Sequence, residues 1–215
     1  MPPLTILVLA KAPVAGRSKT RLCPPFTPVE AAELAEAALR DTLAAALATP
    51  GTGTLLALDG TPGPWLPPGV DVLPQRGDGL AARIGAALHD AQVHTGTPVL
   101  LVGMDTPQLT PALLAPAAHQ LLRPHTDAVL GLAADGGWWA LGIQTADADL
   151  LVDVPMSVST TGADTRDRLR SRGLRTRDLP TLRDVDTATD AAAVAAMAPG
   201  TRFAQLLGLL GEAAA

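Results

Sequence analysis

From Ala10 to Leu22 the sequence reads Ala-Lys-Ala-Pro-Val-Ala-Gly-Arg-Ser-Lys-Thr-Arg-Leu. This places Lys11, Arg17, Lys19 and Arg21 within eleven residues of a chain whose net charge is −5. Ammonium and guanidinium groups beside free backbone N–H donors suit the oxygens of a polyphosphate. Gly16 permits the tight turn such a loop needs. The other reading of a charge run is a solvated basic loop. Two familiar phosphate motifs fail here. A Walker A loop needs glycine directly before its Lys-Thr pair and again five positions earlier, where this chain has Ser18 and Pro13. The Gly-x-Gly-x-x-Gly fingerprint is absent as well. A second chemical signal is Leu101-Val-Gly-Met-Asp105-Thr-Pro107, a carboxylate at the end of an apolar run that proline then stops. A hard oxygen ligand at a strand end commonly holds Mg2+, with water and substrate phosphates completing its shell. The alternative is a side chain that only caps the Thr106-Pro107 turn.

The elements around these residues follow from hydrophobic pattern and punctuation. Leu4–Ala10 and Pro98–Gly103 are continuous apolar runs, as buried parallel strands require. Thr54–Leu58, Val70–Leu73, Ala128–Ala133 and Gly137–Ile143 read as further strands. Thr27-Pro28-Val29-Glu30 opens a helix with a capping box and a first-turn proline. Thr110-Pro111 repeats the cap-and-proline signal. Helices are also predicted over Leu80–His94, Asp164–Arg172, Thr187–Met197 and Thr201–Gly211. The arginines from Arg166 to Arg177 read as a solvated helix and strand. Alternating strands and helices predict an α/β class with a mainly parallel sheet. Sites in such sheets lie beyond the carboxyl ends of the strands, which selects Lys11–Arg21, Gln75–Arg83, Gly103–Leu109 and Ala134–Trp139.

Composition removes several function classes. Hydrophobic residues are 47% and charged residues 17%, which excludes a disordered chain. The acidic balance argues against nonspecific nucleic-acid or anionic-membrane partners. Aromatics at 2%, with no tyrosine, disfavour base-stacking platforms. The single cysteine, Cys23, excludes a disulfide framework and a multi-thiolate zinc site. No run approaches the roughly 20 apolar residues of a membrane helix, and no basic leader precedes the first apolar run. The expectation is a soluble cytoplasmic protein.

Five segments together carry a family resemblance. They are Lys11-x-Pro-x-x-Gly16-x-x-Lys19-Thr-Arg21-Leu; Gln75-x-Gly77-Asp78; Gly103-x-Asp105-x-Pro107-x-Leu109; Ala134-Asp-Gly-Gly-Trp-Trp139-x-Leu141-Gly142; and Asp184-Val-Asp186-Thr187-x-x-Asp190. In order and spacing they resemble the DUF2064 family, bacterial proteins described as glycosyltransferase-like or as radical-SAM/selenodomain-associated transferases. The resemblance implies one three-layer, GT-A-like (Rossmannoid) domain over residues 1–215, with a mainly parallel, mixed central sheet. It implies membership of the nucleotide-diphospho-sugar transferase superfamily, and kinship with the guanylyltransferase that activates 2-phospholactate. On the same basis Ala10, Lys11, Gly16, Arg17, Lys19 and Arg21 belong to the nucleotide-binding loop, with Lys11, Lys19 and Arg21 on the triphosphate. Asp78, Gly79, Leu80 and Arg83 line the base or ribose. Asp105 is the metal aspartate, Mg2+ or Mn2+ being the cofactor, and Asp184 or Asp186 supplies a second ligand. Asp135, Gly136 and Gly137 border the acceptor.

Two glycines admit a ligand close to the backbone, Asp135 can accept hydrogen bonds, and one of Trp138 and Trp139 can supply a stacking face. Asp135-Gly136 is equally a good hairpin turn. Adjacent strand residues point to opposite faces, so one tryptophan belongs to the core. The expected activity is Mg2+-dependent nucleotidyl transfer from a nucleoside triphosphate to a small phosphorylated or hydroxyl acceptor, releasing pyrophosphate. Lys11, Lys19, Arg21 and Asp105 would be the catalytic groups. The alternatives are glycosyl transfer from a nucleotide sugar and a non-catalytic nucleotide-binding module. The partners expected are the nucleotide and a small-molecule acceptor, with a homodimer left open.

Overall fold

The computed structural model of the protein describes residues 2–213. The first apolar run forms β1 (Leu4–Lys11). Leu4, Ile6, Val8 and Ala10 enter one hydrophobic cluster and Leu7 enters another. Covered on both faces, the strand needs no polar side, so it reads as a continuous run. β2 (Thr52–Asp59), β3 (Asp71–Pro74) and β4 (Val99–Gly103) extend the sheet in parallel. β5 (Ala128–Ala133), β6 (Trp138–Ile143) and β7 (Thr176–Leu182) complete it. The order is β3-β2-β1-β4-β6-β5-β7. β6 runs against both its neighbours, β4 and β5, while β7 is parallel to β5. The sheet is mainly parallel and mixed, as expected.

Helices complete the three layers. Side chains of α1 (Pro28–Leu47) and α3 (Pro111–Leu121) join the cluster on one face of the sheet. Those of α2 (Gly79–Thr95) and α4 (Thr161–Ser171) join the cluster on the other. α5 (Ala188–Met197) and α6 (Arg202–Ala213) lie outside α1. There Val194 and Phe203 form a third cluster with Leu22, Leu34, Ala38 and Val185. α1 is therefore buried on two sides, and its many alanines let both layers approach closely. Its predicted capping box is present, with Thr27 and Glu30 bonding reciprocally. Among the described residues no helix is long and apolar enough to cross a membrane.

In the last third the arginine run forms a solvated helix and strand, as expected, and the departures are of extent. Residues 176–182 are an edge strand in which Leu179 is the one buried side chain. Arg166 pairs with Asp178, Arg172 with Asp147 and Arg175 with Asp127, at 2.7, 3.0 and 2.7 Å. The basic run is thus absorbed by surface ion pairs. α4 also begins at Thr161, three residues before the predicted start.

One buried charge ties α6 to α1. Asp41, only 8% exposed, accepts from the backbone N–H groups of Arg202 (3.2 Å) and Phe203 (2.9 Å) and from the Arg202 guanidinium (3.1 Å). It caps a helix whose first N–H groups have no intrahelical partners. Asp41→Ala is expected to destabilise the fold by about 1–3 kcal/mol. Asp41→Asn, which keeps one acceptor, should cost less. Chemical denaturation of the two variants tests this, and equal losses would refute the capping role.

Candidate functional site

The carboxyl ends of β1, β3, β4 and β5 open onto a cavity of about 740 Å3. Each of the four segments selected from the sequence contributes to its lining. The loop after β1 is shaped before it meets any partner. Gly16 has φ +74°, and the buried Ser18 hydroxyl accepts from Val14 N–H (3.1 Å) and donates to the Ala12 carbonyl (3.0 Å). Lys19 adopts a left-handed conformation, φ 51°, ahead of a single 3-10 turn over Thr20–Leu22. Such backbone costs a non-glycine residue about 1–2 kcal/mol, and here it turns the lysine inward. Its side chain is 10% exposed, with Nζ 2.6 Å from Asp105 Oδ1 and 3.9 Å from Asp186 Oδ1. Nζ also donates to the Val185 carbonyl. Arg21 meets Asp186 Oδ2 at 2.6 Å. Two of the three cations assigned from sequence to the triphosphate, Lys19 and Arg21, are thus held by carboxylates.

The remaining cations lie on the same half of the cavity. Lys11 and Arg17 come from the β1 loop and Arg83 from α2. Arg83 is aimed by Asp59 (2.8 Å) and by the Gly77 carbonyl (3.3 Å). Gln75 donates to the carbonyls of Ala10 (2.8 Å) and Ala57 (3.0 Å), bracing the ends of β1 and β2. Gly79 and Leu80 line the cavity, whereas Asp78 precedes α2 without lining it.

The acidic groups sit across the seam of the sheet. Val185 is fully buried, and its N–H donates to the Asp105 carbonyl at 2.8 Å. Thr187 and Asp190 then close a capping box that starts α5. Asp184, Asp186 and Asp135 each bring one carboxylate oxygen within 4.8 Å of the others. Sequence grouped Asp105 with Asp184 and Asp186, and Asp135 with the acceptor. The structure instead sets Asp135 beside Asp184 and Asp186, and Asp105 against Lys19.

Asp135 reaches that position through the β5–β6 hairpin. Its Oδ1 accepts from Gly137 N–H at 2.8 Å, Gly136 has φ +93°, and Ala134 N–H donates to the Leu182 carbonyl at 2.9 Å. A Cβ on Gly136 would lie 2.0 Å from the Ser159 carbonyl oxygen. This glycine serves a close approach of the chain to itself rather than to a ligand. Gly136 is outside the cavity lining, while Asp135, Gly137 and Trp138 belong to it. The tryptophans divide as expected. Trp139 is 3% exposed in the core and donates to the Pro180 carbonyl at 2.9 Å, so it cannot face an acceptor. Trp138 is half-buried at the cavity wall, with its indole N–H 3.2 Å from the Thr165 hydroxyl.

The opposite part of that wall is Met156, Ser157, Val158, Ser159 and Thr161; the family resemblance implies an acceptor-side place for Met156 and Ser157, and sequence reasoning missed the other three. The run of hydroxyls before a helix was its one visible signal. Its route back to the sheet edge could not be read.

Clustering marks the electrostatics of Asp184. Burial, followed by the neighbouring charge of Asp135 and then smaller contributions from Asp186 and Asp105, pushes its carboxyl from 3.8 up to about 6, against a lowering by its own backbone N–H. An acid whose pKa is raised on folding binds its proton more tightly in the native state. Stability is therefore lost as pH rises from about 4 to about 6. Asp184→Asn removes that loss. Without added metal it should melt above wild type at pH 7–8 and converge with it below about pH 4. Melting curves across this pH range decide the matter, and a variant that melts below wild type at pH 8 contradicts it.

Over residues 33–158 the sequence matches DUF2064, described as an uncharacterized protein conserved in bacteria. Curated proteins give no match. Among solved structures, a provisionally assigned nucleotide-diphospho-sugar transferase from Desulfovibrio desulfuricans G20 is 26% identical. It superposes with a TM-score of 0.85 over 99% of this chain and 95% of that one. Rv0371c from Mycobacterium tuberculosis H37Rv is 23% identical, with a TM-score of 0.56 over 89% and 96%. CMP:2-keto-3-deoxy-manno-octonic acid synthetase, solved with CTP, is 14% identical, with a TM-score of 0.55 over 91% and 98%. The last two likenesses are of fold. The family match spans more than half of the sequence, and the chain belongs to the DUF2064 family, with the fold of the nucleotide-diphospho-sugar transferases.

Proposed function

We propose that this protein is a metal-dependent, nucleotide-using transferase that moves a nucleotidyl group from a nucleoside triphosphate to a small acceptor. The observation that carries this reading is the zoning of charge in one cavity. Lys11, Arg17, Lys19, Arg21 and Arg83 come from the connections after β1 and β3, and Asp105, Asp135, Asp184 and Asp186 from those after β4, β5 and β7, with Lys19 and Arg21 meeting the acidic groups at the boundary. Five cations match a triphosphate better than the diphosphate of a nucleotide sugar. A synthetase that shares the fold has been solved with CTP. The nucleotide sits over β1, β2 and β3, and the acceptor sits over β5 and β6 in a single α/β domain.

The chain's own groups fit a hard divalent cation such as Mg2+ or Mn2+. Asp135, Asp184 and Asp186 offer three oxygens within 4.8 Å of one another, and their mutual repulsion calls for a counter-charge. Rv0371c, of the same fold, has also been solved with manganese. Bound there, the ion supplies charge neutralisation at the phosphates. The cationic loop stabilises the negative charge that builds on the leaving pyrophosphate. An acceptor oxygen attacks the α-phosphorus in line, and the bond to the β-phosphate oxygen breaks. The acceptor wall offers Trp138, Met156 and Val158 as apolar faces and Ser157, Ser159 and Thr161 as hydroxyls, and no cation lines it among the described residues. This favours a hydroxyl acceptor over a phosphorylated one. Among the described residues no histidine lines the cavity, so its carboxylates are the bases at hand for the hydroxyl proton.

The leaving group separates the readings. With a panel of nucleoside triphosphates and nucleotide sugars, Mg2+ and hydroxyl acceptors, nucleotidyl transfer releases pyrophosphate and glycosyl transfer releases a nucleoside diphosphate. Release of the diphosphate alone would establish the glycosyltransferase alternative. Nucleotide binding without either product would leave a binding module. The tryptophans supply an internal control. Trp139→Ala should lose about 3–5 kcal/mol of stability. Trp138→Ala should fold and bind nucleotide, but with a several-fold higher KM for the acceptor.

A further inference from the structure

The ion pairs of Lys19 pose a physical conflict, if the cavity takes a metal and a polyphosphate as proposed above. Its ammonium lies 2.6 Å from Asp105 and 3.9 Å from Asp186. Asp186 is also one of the three carboxylates grouped within 4.8 Å. A divalent cation on that group would share Asp186 with a lysine ammonium. Like charges so close repel, and more strongly where water is excluded; Lys19 is 10% exposed. We propose that Lys19 is a tethered counter-cation for Asp105 and Asp186, which a polyphosphate draws away as metal enters, so that Lys19 couples metal binding to nucleotide binding.

Three features suit the residue to this exchange. Its backbone is fixed in the left-handed region by the turn that follows, so only the side chain has to move. A lysine is a compact point charge on a flexible stem, whereas the planar fork of an arginine would lock onto a carboxylate. The side chain also belongs to the loop that supplies three of the cavity's other four cations, Lys11, Arg17 and Arg21, so an arriving polyphosphate meets Lys19 within its own binding loop. Phosphate oxygens form charge-assisted hydrogen bonds with an ammonium as readily as carboxylates do. When Lys19 moves to them, Asp105 and Asp186 lose a positive neighbour and attract a divalent cation more strongly. Coupling of this kind is reciprocal, so the metal must strengthen polyphosphate binding by the same factor.

The test measures each ligand without the other. Mn2+ alone is titrated calorimetrically into wild type, Lys19→Met and Lys19→Arg. Tripolyphosphate, which carries no base or sugar, is titrated in the presence of EDTA. Lys19→Met should bind Mn2+ about tenfold more tightly than wild type and tripolyphosphate about tenfold or more weakly. Lys19→Arg keeps the charge and should bind Mn2+ no more tightly than wild type. A merely structural role for Lys19 would weaken both ligands together. Thermal melting confirms folding, and Lys19→Gln replaces Lys19→Met if the latter is unstable. Unchanged or weaker Mn2+ binding by the neutral variants overturns the proposal, as does equal tightening in Lys19→Arg. Wild type that binds neither ligand would instead refute the nucleotide-and-metal reading, and the proposal with it. Wild type that binds both, without the opposed shifts, removes the role of Lys19 alone.

Discussion

The site depends on holding a basic loop and an acidic segment together at one sheet edge, and apolar burial does most of that work. Leu22 ends the basic loop and Val185 divides the acidic pair. Both are fully buried, in the cluster that also holds Leu34 and Phe203. Burying each side chain stabilises the fold by about 1.5–3 kcal/mol, whereas an exposed ion pair such as Arg21–Asp186 contributes about 0–1 kcal/mol. The burial therefore sets the geometry and the charges exploit it. Along an extended segment the side chains alternate. Sinking Val185 into the cluster turns Asp184 and Asp186 the other way, into the cavity. The Val185–Asp105 backbone bond then fixes this segment against the end of β4.

Backbone contacts do the equivalent work on the cavity wall formed by the β5–β6 hairpin and the start of α4. Gly162 N–H donates to the Gly136 carbonyl at 2.8 Å, and the missing side chains of both glycines let the hairpin and the start of α4 touch. Ser157 lies at φ 61°, the second non-glycine residue of the cavity wall, with Lys19, in the left-handed region. Strain of about 1–3 kcal/mol at such a residue persists only where its surroundings over-determine it. These walls are loops in name, but they are held to within a hydrogen bond of rigid elements.

The legible parts of the chain were those with a physical signature of their own. β1 and β4 announce themselves as apolar runs, α1 by its capping box, and the β1 loop by cations in an acidic chain. Trp138 and Trp139 could be split between wall and core by strand alternation alone. β7 carries no such signature. It is an edge strand with a proline, Pro180, and one buried side chain, and its existence comes from pairing with β5. A solvated strand could be read near Arg177 but its pairing with β5 could not, and neither could the consequence, the Ala134–Leu182 bond that brings the β5–β6 turn to the acidic segment. Asp135 therefore read as a hairpin or acceptor residue and not as a neighbour of Asp184. The organising role of the Ser18 hydroxyl was invisible for a similar reason, since its partners are carbonyl and N–H groups that every sequence contains.

The reversed strand β6 links these features. In an all-parallel sheet each strand would leave the carboxyl edge into a helix. Because β6 is antiparallel to β5, the two join by a tight turn at that edge, which delivers Asp135 and Trp138 with no intervening helix. β6 then ends at the far edge, and the chain has to return across the face covered by α2. Leu150, Leu151 and Val154 are buried along that path. It reaches the carboxyl edge again at Met156–Thr161, lines the cavity and enters α4. α4 carries the chain away once more, and β7, parallel to β5, brings it back to deliver Asp184 and Asp186. A single reversal therefore makes the second half of the chain visit the site three times. The first half, with its parallel strands, visits it with one connection each after β1, β3 and β4. The cations come from those parallel connections, and the carboxylate triad and hydroxyls come from the returns that follow the reversal. The division of charge across the cavity thus follows the topology of the sheet.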